Sequence, residues 1–429
     1  MPMKRHEQTE VLVVGAGPVG MFTALRLAES GIAVQLIDQE SGTGSRSFGC
    51  ALHPRTLQLL EKVGVASEVI AAGNRIHKLV FYHGTQRQSE LDLSQFPLEF
   101  PFVLVLEQNV LEDLLERKLQ EKANLRVLWN HRFTDLTMKE AGASAAIDEL
   151  AMSGKGYGVA DFDMMVKKTT AIAAQFVVGA DGQGSVVRQR LGIESEHRSA
   201  PQMFVVYEFT TEAKLAQEVS IVMEEDKVCV LWPFGENKCR WSFQWLPADG
   251  PADFPKKERN HLTSTGNFDT GQIREHLQKL LREHAPWFAG GIKEITWATT
   301  IQFEHRLAHQ FGRDRAWLVG DAAHQTGPIG IQSMNLGFRE GADLADKLRQ
   351  ILREKGSAEL LANYDYEHRK EWEHLLSGSR RRQEITGTGG WTTEEGARLA
   401  ECIPASGAAM TLILRKLGIA FDDAATPAV

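Results

Sequence analysis

Gly15, Gly17 and Gly20, in the run Gly15–Ala16–Gly17–Pro18–Val19–Gly20, leave a short stretch of backbone open to close approach by another molecule. Gly15 permits a tight turn, Gly17 lets a pyrophosphate come near the main chain, and Gly20 lets a helix lie close on a strand. Amides at the start of a helix just after the turn would attract phosphate charge. Asp38, roughly 20 residues further on, is placed to accept hydrogen bonds from ribose hydroxyls, and an acid there argues against a 2′-phosphate. Pro18, Val19 and Gln39 sit beside these positions and count as contact candidates.

Two more acids follow short apolar runs. Asp181–Gly182 ends Ala174–Gln175–Phe176–Val177–Val178–Gly179–Ala180, with Ser185 and Arg188 just after it. Gly320–Asp321 ends Arg315–Ala316–Trp317–Leu318–Val319 and leads through His324 into a loop carrying Pro328, Gly330, Met334 and Asn335. Each is a strand running into a turn, with an acid where the chain leaves the sheet.

The elements that must position these groups are legible in the pattern. Val11–Val14 is a continuous β-favouring run, as a parallel strand buried on both faces requires. Phe22, Leu25 and Leu27 have helical spacing between Met21 and Ser30, Gly31 stops that helix, and Ala33–Ile37 is a second strand. The resulting βαβ unit predicts dinucleotide binding, and by itself leaves FAD and NAD as alternatives. A second complete glycine motif is not found.

With these three sites in this order, the chain resembles the flavoprotein aromatic hydroxylases, the class A monooxygenases related to p-hydroxybenzoate hydroxylase, over roughly its first 355 residues. The resemblance implies an α/β chain with a Rossmann-like FAD-binding domain of the GR2 type, at 1–78, 103–198 and 299–355. It implies an inserted antiparallel-sheet substrate domain at 79–102 and 199–298, and leaves 356–429 as a helical C-terminal tail. By the same resemblance the glycine turn holds the FAD pyrophosphate, Asp38 its adenosine ribose, and Asp321 its ribityl chain. Asp181–Gly182 serves both FAD and a transient NADPH or NADH donor, Arg46 matches the family's flavin-side arginine, and Gln108 its phosphate-contacting glutamine.

The implied activity is hydroxylation of a small aromatic or polycyclic compound with O2, through a flavin hydroperoxide. Baeyer–Villiger insertion, epoxidation and flavin-dependent reduction are alternatives on the same fold, and a non-catalytic flavin or lipid carrier is a rival from another class. A helix N-terminus at Asn335 would stabilise the negative charge of a reduced flavin. Ile331 and Ser333 occupy places where relatives commonly carry glycine, so this loop should tolerate unusual backbone angles less well.

The substrate side is read from short alternating segments, Met203–Thr210, Val219–Met223, Val228–Trp232 and Cys239–Trp245, expected to form an antiparallel sheet with one covered and one wetter face. Trp241, Phe243 and Trp245 share one strand face by period two, and Trp232 and Phe234 flank a turn at Gly235–Asn237. All five are pocket candidates, since the chemistry needs a dry cavity. His53, His305, His309 and His324 could titrate near neutrality, and His324, close to Asp321, is with Arg46 the first candidate for a catalytic role. The cofactor can also carry the chemistry with no essential side chain.

A net charge of −8 gives no basic footprint for nucleic acid, and Arg380–Arg382 is too short a cluster to provide one. Cys50, Cys229, Cys239 and Cys402 lack metal-site spacing, so no metal is expected and the thiols suit a reducing, cytoplasmic setting. The polar first ten residues are unlike a signal peptide, and no apolar stretch approaches the roughly 18 residues of a membrane span. Beyond Gly356 a helix is expected over Leu360–Leu376, then a glycine-rich break at Gly387–Gly390 and an amphipathic stretch near Ala408–Leu417. Sequence leaves monomer and homodimer both open.

Overall fold

The computed structural model describes residues 8–44, 49–155, 161–224, 227–246, 270–327, 329, 332–377, 403–404 and 413. Arg46, Pro328, Gly330, Ile331, Cys402, the 380–382 and 387–390 runs and most of the final amphipathic stretch lie outside the described residues.

Strands Gln8–Val14, Val34–Ile37, Leu125–Leu128, Ala316–Leu318 and the end of Asp161–Gly179 run parallel in one eight-stranded sheet. Helices cover it, so these strands are apolar without alternation, and Val11, Leu12, Val13 and Leu36 have no exposed surface. Register decides the function. Val14 pairs with Gly179 and Gly179 with Leu318, so three neighbouring strands end at one level and release their loops on the same edge. Ligands of open parallel sheets bind outside such carboxyl ends.

Helix Pro18–Glu29 starts with proline at its first position, where the missing N–H is no loss, and buries Met21, Phe22 and Leu25. It lies hard against helix Ser333–Glu354. A Cβ on Gly341 would stand 2.2 Å from Thr23 Oγ1, and one on Gly337 2.8 Å from Val19. Phe22 and Phe338 meet edge to face at 5.0 Å. Helix Glu359–Ser377 then clamps the strand before Asp321, with the Tyr364 hydroxyl donating to Leu318 O at 2.7 Å.

A seven-stranded sheet runs in the order Glu294–Phe303, Gln202–Thr210, Lys238–Trp245, Val228–Pro233, Glu218–Met223, Lys78–His83, Gln86–Asp92. Its four central segments fall where the alternating pattern puts them. The sheet is not purely antiparallel, because Lys78–His83 arrives from a distant part of the chain and pairs parallel with Glu218–Met223. Its edge strand continues to Phe303, so a domain boundary at 298 cuts a strand that stays paired with Gln202–Thr210 throughout.

Other differences also have physical reasons. Asp161–Gly179 is a 19-residue strand rather than a short one, since its first part forms a long hairpin with Gly142–Lys155. The helix expected to open at Asn335 begins at Ser333, after Gln332 turns the chain with φ +51°. Ile403 and Ile413 are buried in the same apolar cluster as Cys50 and Trp232. Among the described residues, no helix is long and apolar enough to cross a membrane.

Candidate functional site

The glycine turn is built around one backbone contact. Gly15 has φ +105°, and a Cβ there would lie 2.3 Å from the carbonyl oxygen of Ala180. A Cβ on Gly20 would lie 1.9 Å from Gly15 O and 3.1 Å from Ala180 Cβ. Gly17 differs: nothing stands within 4 Å of its would-be Cβ, and no side chain caps the helix behind it. Two glycines therefore close the turn, and the third leaves room in front of open helix amides, as a phosphate requires.

Asp38 follows strand Val34–Ile37 and braces this turn, its Oδ2 accepting the Ala16 amide at 2.6 Å and its Oδ1 that of Glu40 at 2.9 Å. Gln39 is exposed beside it. On the neighbouring strand, Asp181 Oδ1 accepts from Ser185 Oγ at 2.6 Å and Oδ2 from the Val187 amide at 3.0 Å. Burial raises the Asp181 carboxyl above its ordinary range, against these bonds. Gly182 turns the chain at φ +74° with open space around it. Arg188 joins this segment to the third one by donating to Ala322 O at 2.7 Å.

Asp321 follows Gly320, which has φ +60° and packs on Val19. Its Oδ1 accepts from Ser333 Oγ at 2.8 Å, so the serine expected to stiffen the loop also fastens this acid. Burial pushes the Asp321 carboxyl up, while Ser333, His324 and Gln325 oppose the shift. Met334 lies against Gly49, whose would-be Cβ would meet its methyl at 3.1 Å. Asn335 is buried and structural: its Oδ1 accepts from the His53 amide and Thr56 Oγ1, and its Nδ2 donates to Ala51 O.

Gln108, at the start of helix Gln108–Gln120, bonds in two directions. Its Oε1 accepts the Gly49 amide at 2.8 Å and its Nε2 donates to Glu112 at 2.7 Å, while Glu112 accepts the Gly44 amide at 2.8 Å. The two ends of the segment carrying Arg46 are thus held by one pair at i and i+4. Glu112 was not singled out from sequence, although its spacing from Gln108 was a readable signal.

Two expectations need correcting. His324 does not face the site: its side chain has no exposed surface, stacks on Trp372 at 3.9 Å and is paired with Glu340. A group lining the ligand-free cavity would retain exposure. Among the histidines considered, His305 is the one beside the loop, with Nε2 3.6 Å from a Cβ on Gly327, and burial lowers its pKa. Trp241, Phe243 and Trp245 are not pocket residues either. They lie on the sheet face covered by helix Thr270–His284, packed with Leu277 and Leu280.

The opposite face carries Trp232, buried against the C-terminal isoleucines, and Phe234, partly open. Arg240 lies there between the Phe234 and Trp297 rings, 5.4 Å from each, and pairs with Glu208 directly opposite it on the neighbouring strand. Burial pushes the neighbouring Cys50 thiol up to about 11, opposed by its bond to Arg240. The expected wetter face is polar yet enclosed, with Glu208, Arg240 and Ser242 all buried.

Comparison with known proteins fits this geometry. The family described as "FAD binding domain" matches residues 8–379. The chain belongs to that family. Its cofactor is FAD, and its kinship is with the class A flavoprotein hydroxylases. Pentachlorophenol 4-monooxygenase of Sphingobium chlorophenolicum is 26% identical over 388 residues, 87% of this chain and 64% of that one. The 6-methylpretetramide 4-monooxygenase of Streptomyces rimosus is 26% identical over 373 residues, 86% of this chain and 61% of that one. The chain thus spans less than two thirds of either relative. The crystal structure of p-nitrophenol 4-monooxygenase from Pseudomonas putida DLL-E4 shares the fold, with TM-score 0.72, 20% identity and coverage of 96% and 94%.

The contacts separate two glycine substitutions. Gly17→Ala should leave the melting temperature of the ligand-free protein nearly unchanged and abolish tight FAD binding, whereas Gly20→Ala should cost about 1–3 kcal/mol or more of stability. Thermal unfolding and FAD titration check both. For Asp321, folded-state pKa above the unfolded value means stability is fully present below the usual carboxylate range and is lost as pH rises through the raised value. Asp321→Asn should therefore melt higher than the parent at neutral pH without FAD, with the difference vanishing in acid, and bind FAD about tenfold or more weakly.

Proposed function

We propose that this protein is an FAD-dependent monooxygenase that hydroxylates a small aromatic or polycyclic compound, taking electrons from NADH or NADPH and oxygen from O2. The observation that carries this reading is the meeting of three loops, Gly15–Gly20, Asp181–Gly182 and Gly320–Asp321, at one sheet edge. The names of the relatives, acting on pentachlorophenol and 6-methylpretetramide, support an aromatic substrate.

The residues present fit FAD: space before Gly17 for pyrophosphate, Asp38 at the ribose end and Asp321 at the ribityl end. When bound, FAD supplies the redox chemistry between donor and oxygen. The chain's own part is to bind, orient and exclude water. In this reading residues 1–78, 103–198 and the chain from Phe303 to 355 hold the cofactor, and the seven-stranded sheet, which includes Glu294–Phe303, roofs it with Phe234 and Trp297. Arg240, buried between these two rings and paired with Glu208, holds them in place without a net charge to attract water.

The test is oxidation of NADH and of NADPH by the FAD-loaded protein in air, with peroxide quantified, across phenols, nitrophenols and polycyclic aromatics. A substrate should accelerate donor oxidation while the peroxide formed per donor falls. Donor oxidation indifferent to every aromatic, with all electrons recovered as peroxide, would count against hydroxylation.

A further inference from the structure

Glu340, inside helix Ser333–Glu354, has no exposed surface. Its Oε2 accepts the Gly320 amide at 2.9 Å, and its Oε1 accepts the Trp372 indole N–H at 2.7 Å. His324 Nε2 stands 2.7 Å from Oε1 and 2.8 Å from Oε2. Burial pushes the carboxyl up, but His324, His368 and Trp372 together hold it below the usual range, so this is a charged and fully committed group. Only a carboxylate has the acceptor capacity for all of these partners, since an amide offers one oxygen.

The Gly320 amide is where this network meets the cofactor site. Gly320 is held in the left-handed region at φ +60°, wedged between Val19 and the Gly337 backbone, and the next residue is Asp321. Glu340 has no exposed surface and touches the site only through the Gly320 backbone. It fixes the peptide that aims Asp321, and Trp372 ties the same carboxylate to helix Glu359–Ser377.

We propose that Glu340 is a positioning residue for FAD, setting the Gly320 turn from which Asp321 engages the ribityl chain. This rests on the assignment of that turn to FAD. Trp372, on helix Glu359–Ser377, shares the same carboxylate from the far side and ties that helix to the fold.

Glu340→Gln keeps the shape but leaves a single acceptor oxygen to share between the Gly320 amide, the Trp372 indole and His324, so the hold on the Gly320 amide weakens. FAD titration of the ligand-free variant should show affinity reduced at least tenfold. Trp372→Phe removes a donor but leaves Glu340 free to hold Gly320; it should lower the melting temperature while changing the FAD dissociation constant less than twofold. A purely structural Glu340 would lower the melting temperature in both variants and move FAD affinity in neither, which would overturn the proposal. Should Glu340→Gln not fold, Glu340→Asp, which keeps the charge and withdraws it by one methylene, should weaken FAD at least threefold; no weakening would likewise refute it. Failure of the unaltered protein to bind FAD would instead remove the cofactor assignment itself.

Discussion

Everything in this molecule that concerns the cofactor depends on how closely three backbones can meet at the end of one sheet. Gly15 lies where any side chain would strike the Ala180 carbonyl, Gly20 lies where one would strike Gly15, and Val19 sits directly on Gly320. Parallel strands ending at one level bring the loops there, and missing side chains let them touch. Helix Ser333–Glu354 adds the same device along its length, with Gly337 and Gly341 letting helix Pro18–Glu29 settle against it. In the proposed reading, affinity for a long, charged ligand comes from preorganised amides and acids rather than from groups that must move on binding.

The parts legible in the sequence are those governed by local rules. Val11–Val14, the glycine turn and Asp38 announce a βαβ unit because strand burial, turn sterics and helix onset each leave a distinct residue pattern. The four short strands between Gln202 and Trp245 were legible through alternation for the same reason. Face assignment was not. Period two places Trp241, Phe243 and Trp245 together, but which face a helix covers is decided by Thr270–His284, whose docking no local pattern encodes. His324 follows the same logic. Its nearness to Asp321 in sequence says nothing about direction, and the chain turns it into the core toward Glu340 and Trp372.

Long-range polar pairs were the least legible. Glu208 and Arg240 are 32 residues apart, and their pairing follows from register between two strands rather than from any motif. Enclosing a charge pair in an otherwise aromatic wall costs desolvation that hydrophobic residues would not, which is weak grounds for a stability role and better grounds for shaping a site. Cys50 extends the pair toward the Gly49 amide and Gln108, so one chain of contacts runs from the seven-stranded sheet to Gly49.

The central claim is that these loops together hold one FAD. Titration of the ligand-free protein by calorimetry with FAD, FMN and NAD tests it most directly. The expected result is one FAD per chain, with FMN bound far more weakly because it lacks the half that the glycine turn and Asp38 would grip, and with NAD failing to displace FAD. Equal affinity for FAD and FMN, or displacement of FAD by NAD, would contradict it.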